Sequence, residues 1–101
     1  VSMEETHHVH KKDAPSGTAI SLAQGILTYF PTKKLADLPI ESIRIDEVPG
    51  THVVRYHSEV DDLEIKHTAH SRKGFAMGAV LAAEWMAGKK GVFGMKDLLG
   101  F

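Results

Sequence analysis

The stretch ESIRIDEVPGTHVVRYHSEVDDLEIKHTAHS, Glu41 to Ser71, decides how this chain folds. Three runs rich in β-branched and aromatic residues, ESIRIDEV, THVVRYHSEV and DDLEIKHTAHS, are separated by two turn signals, which predicts paired strands. Val48-Pro49-Gly50-Thr51 puts Pro and Gly at the middle of a type II turn, so the first two runs are expected to form a hairpin. In the second run Val54, Tyr56 and Ser58 face one way and Val53, Arg55 and His57 the other. Glu59 to Asp62 supplies the next turn, and Leu63, Ile65, His67 and Ala69 share one face of the third run.

Upstream of this stretch the period changes twice. Val1, Met3 and Glu5 alternate with Ser2, Glu4 and Thr6, a short strand. From Ser16, the residues Ala19, Ile20, Ala23, Ile26, Leu27 and Phe30 recur at helical spacing until Pro31, with Ser16 or Asp13 able to cap the start. A polar connector runs from Pro31 to Pro39. Downstream, Gly74 to Gly88 returns to helical spacing through Phe75, Ala79, Ala82, Ala83 and Met86, and the glycine-rich tail GKKGVFGMKDLLGF fits a segment that leaves the domain to pack elsewhere. The order β-α-β-β-β-α predicts an α+β fold: an open mixed sheet of about four strands with two main helices on one face. The other face, carrying Val, Ile, Tyr and Leu from the strands, is expected to be available for oligomerisation against a partner sheet.

With 101 residues, 43% of them hydrophobic and 25% charged, the chain has the make-up of one ordinary globular domain. No apolar run approaches the roughly 20 residues of a membrane-spanning helix, and VSMEETHH carries acids where a secretory signal needs a basic end. The chain has no cysteine, which removes disulfides and thiolate chemistry, and a cytoplasmic location is expected. Twelve basic residues against thirteen acidic ones leave no net positive field for nucleic acid. A start at Val1 rather than Met suggests a piece of something longer.

The chemistry gathers in HHVHKKDAPSGT, His7 to Thr18. A helix start presents unpaired N–H groups and the positive end of the helix dipole, which suits an anion. Gly17 lets a ligand approach the backbone, Thr18 adds a hydroxyl, and Lys11 adds a full charge for a carboxylate or phosphate. His7 and His8 can exchange protons near neutral pH. Two plainer readings compete: a capped helix start beside a solvated loop, and a metal site in which His8 and His10 meet His67 and His70. His52, His57 and His67 lie in strands, where a hydrogen-bonded structural histidine is the usual explanation. Arg72 fits either a surface ion pair or an anionic ligand, and Lys89 and Lys90 a solvated helix end.

The run HHVHKKDAPSGTA resembles the signature of the 4-hydroxy-tetrahydrodipicolinate reductase family, also called dihydrodipicolinate reductase. Gly50-Thr51-His52 is similar to that family's G-x-H step, and LEIKHTAHSRKGFAMGAVLAAEWM to its H-x-A-x-S-R-x-x-F-A-x-G-A segment, in the same order over nearly the whole chain. The resemblance implies the C-terminal domain of a two-domain enzyme of lysine and diaminopimelate biosynthesis, spanning residues 1–101, which binds substrate and forms a homotetramer. It implies NADPH or NADH held mainly by an N-terminal Rossmann domain, whose G-x-G-x-x-G turn this chain lacks, so these residues alone are expected to be inactive and to bind neither cofactor nor metal. By position, His7 matches the family's general acid and Lys11 its catalytic lysine; His8, Lys11, Gly17 and Thr18 match the residues that hold a small dicarboxylate substrate, and Arg72 an arginine near the substrate region. The chain departs from the family at Val9, Lys12 and Asp46, the last standing where many members have glycine after the arginine matched by Arg44. On this reading His10 and Lys12 are bystanders. The rival is a non-catalytic anion- or metal-binding assembly domain.

Overall fold

Strand β1 (Ser2–His7) lies in the middle of the molecule's one sheet, whose order is β2-β1-β3-β4, with β2 spanning Ile40–Arg44, β3 Thr51–His57 and β4 Asp62–Thr68. The computed structural model describes all residues, Val1–Phe101. They divide into two compact units, Val1–His70 and Ser71–Phe101.

The sheet is mixed, as expected from the α+β pattern: β1 runs parallel to β2 and antiparallel to β3, and β3 is antiparallel to β4. The expected hairpin between the second and third strands does not form. Residues 8–39 give β1 the long crossover that a parallel neighbour requires, so β2 docks against the far side of β1 from β3. The segment after β2 wraps the end of β1 instead of reversing: Ile45 N–H donates to His7 O at 3.0 Å and Val9 N–H to Asp46 O at 3.1 Å. The β3–β4 hairpin does form, closed by Ser58, whose Oγ donates to Asp61 Oδ1 at 2.8 Å and accepts the Val60 and Asp61 N–H groups.

Helix α1 (Gly17–Leu27) covers one face of the sheet, where Ala19 and Ala23 meet Met3, Val54 and Leu38 in the buried core. Alanines on this stripe let the helix axis lie close to the strands. Val1, Ile26, Leu27, Ile40 and Tyr56 border that core. The helix stops a turn short of Phe30, because Tyr29 and Phe30 bond back to Ile26 and Leu27 in tighter i→i+3 turns ahead of Pro31. A short 3-10 turn at Leu35–Asp37 then leads into β2.

The strand residues expected to make the opposite face apolar mostly turn toward α1. Val54, paired with Met3, and Tyr56 both face the core, and the other face carries Glu4, Arg55 and Glu64. Arg55 binds them both there, donating to Glu64 Oε2 at 2.9 Å and to Glu4 Oε2 at 3.3 Å.

In the second unit α2 (Lys73–Met86) begins directly after Arg72 and is followed by α3 (Met95–Leu99). Gly88, at φ 78°, turns the chain after α2. Lys89 Nζ stands 4.4 Å from the centre of the Trp85 ring and donates to Trp85 O, and Phe93 meets the same ring edge-on at 5.3 Å.

Candidate functional site

The middle position of β1 brings its alternate residues into the interior, and Glu5 follows Met3 there with no exposed surface. A buried carboxylate must be paired and hydrogen-bonded, and Glu5 is. Arg44, from the end of β2, grips it with both guanidinium nitrogens: Nη1 donates to Oε1 at 2.6 Å and Nη2 to Oε2 at 3.0 Å. The end of β1 and the start of α1 supply further donors. His7 Nδ1 lies 2.7 Å from Oε1, and the Ser16 N–H donates to Oε2 at 2.9 Å.

Burial by itself would raise the Glu5 pKa, but the hydrogen bonds from Arg44, His7, Ser16 and Ser42 outweigh it and hold the group at about 2 instead of 4.5. Its charge therefore stabilises the fold at every pH above the ordinary carboxylate value. That contribution disappears as the pH falls from about 4.5 to about 2. At about 1.4 kcal/mol for each pH unit, the loss is about 3 kcal/mol. Urea unfolding at pH 6 and at pH 2 measures it; Glu5→Gln should flatten this part of the profile, and an equally steep profile in that variant would contradict the assignment.

The same arginine shapes the loop between β1 and α1. Arg44 Nε donates to Lys11 O at 3.2 Å and Nη2 to Asp13 O at 2.5 Å. One guanidinium thus fixes the path of residues 11–13 as well as the carboxylate under His7. At the loop's end Ser16 is the N-cap of α1: its Oγ accepts the Ala19 N–H at 3.1 Å, and its carbonyl accepts the Ile20 N–H. The N–H groups of Gly17 and Thr18, in the first turn, remain open to a ligand, with both residues exposed.

His52 completes the cluster from β3. Its ring meets His7 edge-on at 5.2 Å, and its Nε2 is hydrogen-bonded to Ser16 Oγ at 3.3 Å. Burial holds its pKa below the ordinary histidine value, and nearby His7 pushes it the same way. Gly50 leaves the space for the His7 ring, since a Cβ at that position would stand 3.1 Å from His7 Nε2.

The residues expected from sequence are only partly gathered. His7, Lys11 and the α1 start with Gly17 and Thr18 are linked through Glu5, Arg44 and Ser16. Lys11 Nζ reaches Asp13 Oδ1 at 3.2 Å, with the lysine side chain partly buried and the carboxylate exposed. The His8 ring lies 5.9 Å from the His10 ring at a tilt of 38°, and His10 pairs with Glu47 in solvent, outside the buried cluster. Arg72 belongs to the second unit, at the N-cap of α2. No group of three or more His, Asp or Glu side chains is placed to hold a metal ion, so the four-imidazole arrangement does not form. Asp46 takes the left-handed backbone conformation, φ 46°, which favours glycine and tolerates Asp. His52 is the hydrogen-bonded histidine of a strand that the sequence suggests, whereas Glu5 and Arg44 carry no role in the sequence reading. The signal for Glu5 was present, a carboxylate in phase with Val1 and Met3 on the inward side of a strand.

An α+β domain in which one buried carboxylate ties a histidine to the start of a helix is the class these features define. The profile described as "Dihydrodipicolinate reductase, C-terminus" matches residues 1–99, and the chain belongs to that family. The 4-hydroxy-tetrahydrodipicolinate reductase of Christiangramia forsetii is 50% identical over 109 residues, covering 98% of this chain and 45% of that protein. The enzyme of the same name from Methanosarcina barkeri is 41% identical over 112 residues, covering 99% and 43%. Among solved structures, the dipicolinate-bound dihydrodipicolinate reductase from Paenisporosarcina sp. TG-14 superposes with a TM-score of 0.73 at 25% identity, over 95% of this chain and 43% of that one. The chain spans less than half the length of these relatives.

Proposed function

We propose that residues 1–101 are the substrate-binding and proton-donating part of a 4-hydroxy-tetrahydrodipicolinate reductase, which reduces 4-hydroxy-tetrahydrodipicolinate to tetrahydrodipicolinate in lysine and diaminopimelate biosynthesis. The observation that carries this reading is the single carboxylate of Glu5 holding both the His7 ring and the first N–H of the helix start. One substrate carboxylate is received by the Gly17 and Thr18 N–H groups and the Thr18 hydroxyl, and Lys11 exchanges Asp13 for it, with His8 beside them. His7 then supplies a proton at Nε2, the ring nitrogen that Glu5 leaves unused. Arg72, matched to an arginine near the family's substrate region, is proposed as a further substrate-region residue.

The β1–α1 connection carries Lys11, Asp13 and Pro15 where a dinucleotide-binding turn needs closely spaced glycines, so these residues do not fit the pyrophosphate of a nicotinamide cofactor. NADPH or NADH is proposed to be held outside residues 1–101, by a Rossmann domain. Assembly as a homotetramer through the sheet face opposite α1 is supported by the family resemblance and is tested by solution mass. No helix is long and apolar enough to cross a membrane. The absence of cysteine and a biosynthetic role support a cytoplasmic location.

The test of the site uses pyridine-2,6-dicarboxylate as the ligand. At a hundredfold excess over its dissociation constant it should stabilise the chain by about 2.7 kcal/mol, several degrees in Tm. Thr18→Val and Lys11→Ala should each weaken binding about tenfold, the scale of one lost charge-assisted contact. Undiminished stabilisation in both variants would overturn the placement of the carboxylate site.

A further inference from the structure

Arg44, Ser16, Ser42 and His7 surround the two oxygens of the Glu5 carboxylate, and of these partners only the His7 ring can move its proton between two nitrogens. Arg44 and the Ser16 N–H are permanent donors. His7 is not: a neutral imidazole can hold its proton on either nitrogen. Ionised Glu5 only accepts, and it lies 2.7 Å from Nδ1, so Nδ1 is the protonated nitrogen whether the ring is neutral or cationic. Exchange with a ligand is thereby confined to Nε2, the atom that faces Gly50.

We propose that Glu5, clamped by Arg44, is a positioning residue that fixes His7 in its Nδ1–H form and so makes Nε2 the proton-donating atom. This rests on the proposed role of His7 as the acid. Once Nε2 has given up its proton, the ring must remain as the Nδ1–H tautomer, and the carboxylate under Nδ1 is what favours that product state. Arg44 contributes by keeping Glu5 ionised and by holding its two oxygens in one plane, one turned to the ring and the other to the backbone of Ser16.

Glu5→Gln separates this role from simple packing, since it keeps shape and removes one acceptor oxygen. The amide must place its oxygen toward either Ser16 N or His7 Nδ1. Arg44 donates at both positions and so does not decide between them; the Ser16 N–H can only donate, whereas His7 can turn acceptor, so the amide oxygen goes to Ser16 and its NH2 group faces the ring. His7 should therefore switch to the Nε2–H tautomer.

Long-range proton–nitrogen NMR of the 101-residue chain above pH 8 reads this directly. The parent should show His7 protonated at Nδ1, and Glu5→Gln should show it protonated at Nε2. In a two-domain protein carrying this chain, Glu5→Gln should lower kcat about 10²- to 10⁴-fold. Glu5→Asp, which restores a carboxylate, should recover at least tenfold of that loss. An Nε2–H tautomer in the parent chain overturns the proposal outright, even if Glu5→Gln fails to fold. Equal kcat in Glu5→Gln and Glu5→Asp overturns it as well. If His7→Gln retains full activity, the acid assignment falls, while the tautomer measurement still decides whether Glu5 sets the state of the ring.

Discussion

Arg44→Ala is expected to destabilise the Val1–His70 unit by about 3–5 kcal/mol, the cost of breaking a buried ion pair from one side. Glu5 has no exposed surface and Arg44 is its only permanent positive partner at contact distance, so the truncation leaves a charge in the interior with only His7, Ser16 and Ser42 as donors. The loop suffers too, because the carbonyls of Lys11 and Asp13 lose the guanidinium that binds them. Urea unfolding at pH 7 measures the loss. Glu5→Gln combined with Arg44→Ala should be less unstable than the two separate losses added together, since the uncompensated charge is then absent. A loss below about 1 kcal/mol in Arg44→Ala would mean that the pair is held no more tightly than a surface one.

The second large effect concerns rate. His7→Gln in a two-domain protein carrying this chain should lower kcat about 10²- to 10⁴-fold, the usual contribution of a positioned acid. The KM for substrate should change only a few-fold, because the carboxylate contacts proposed for Gly17, Thr18 and Lys11 do not involve the ring. Glutamine keeps a polar group near Glu5, so the fold should survive. Steady-state kinetics across pH 5–9 makes the test, and an unaltered rate would remove His7 from the acid role. Lys11→Ala should show the opposite pattern, with KM raised more than kcat is lowered.

Much of this was readable from local chemistry. The switch of period at Ser16, the capping hydroxyl and the stop before Pro31 located α1 to within a few residues, because each is set by neighbours in sequence. The β3–β4 hairpin was equally local. The place of β1 was not. Strand order depends on which side of β1 the returning chain docks, and a Pro-Gly step between β2 and β3 argued for a pairing that the long crossover superseded. The motif His7–Thr18 is continuous in sequence, but what organises it in space, Glu5 with Arg44 and His52 against Ser16, joins residues more than thirty apart along the chain. An inward-facing glutamate is a standing demand for a cation, yet only the sheet order shows that Arg44 answers it.

The central position of β1 also governs when the site can exist during folding. The β3–β4 hairpin can close on its own, through near neighbours, whereas β1 reaches β3 by pairing Ser2 with Arg55 and must still receive β2 on its other edge. Such distant closures carry the greatest entropic cost and set the pace in β-rich domains. Glu5 meets Arg44 only when β2 has docked on β1, and His52 joins them only when β3 has docked on the other edge. The cluster therefore exists only where β1, β2 and β3 are joined, and a chain that has formed its helix and hairpin alone has no partial version of it to offer.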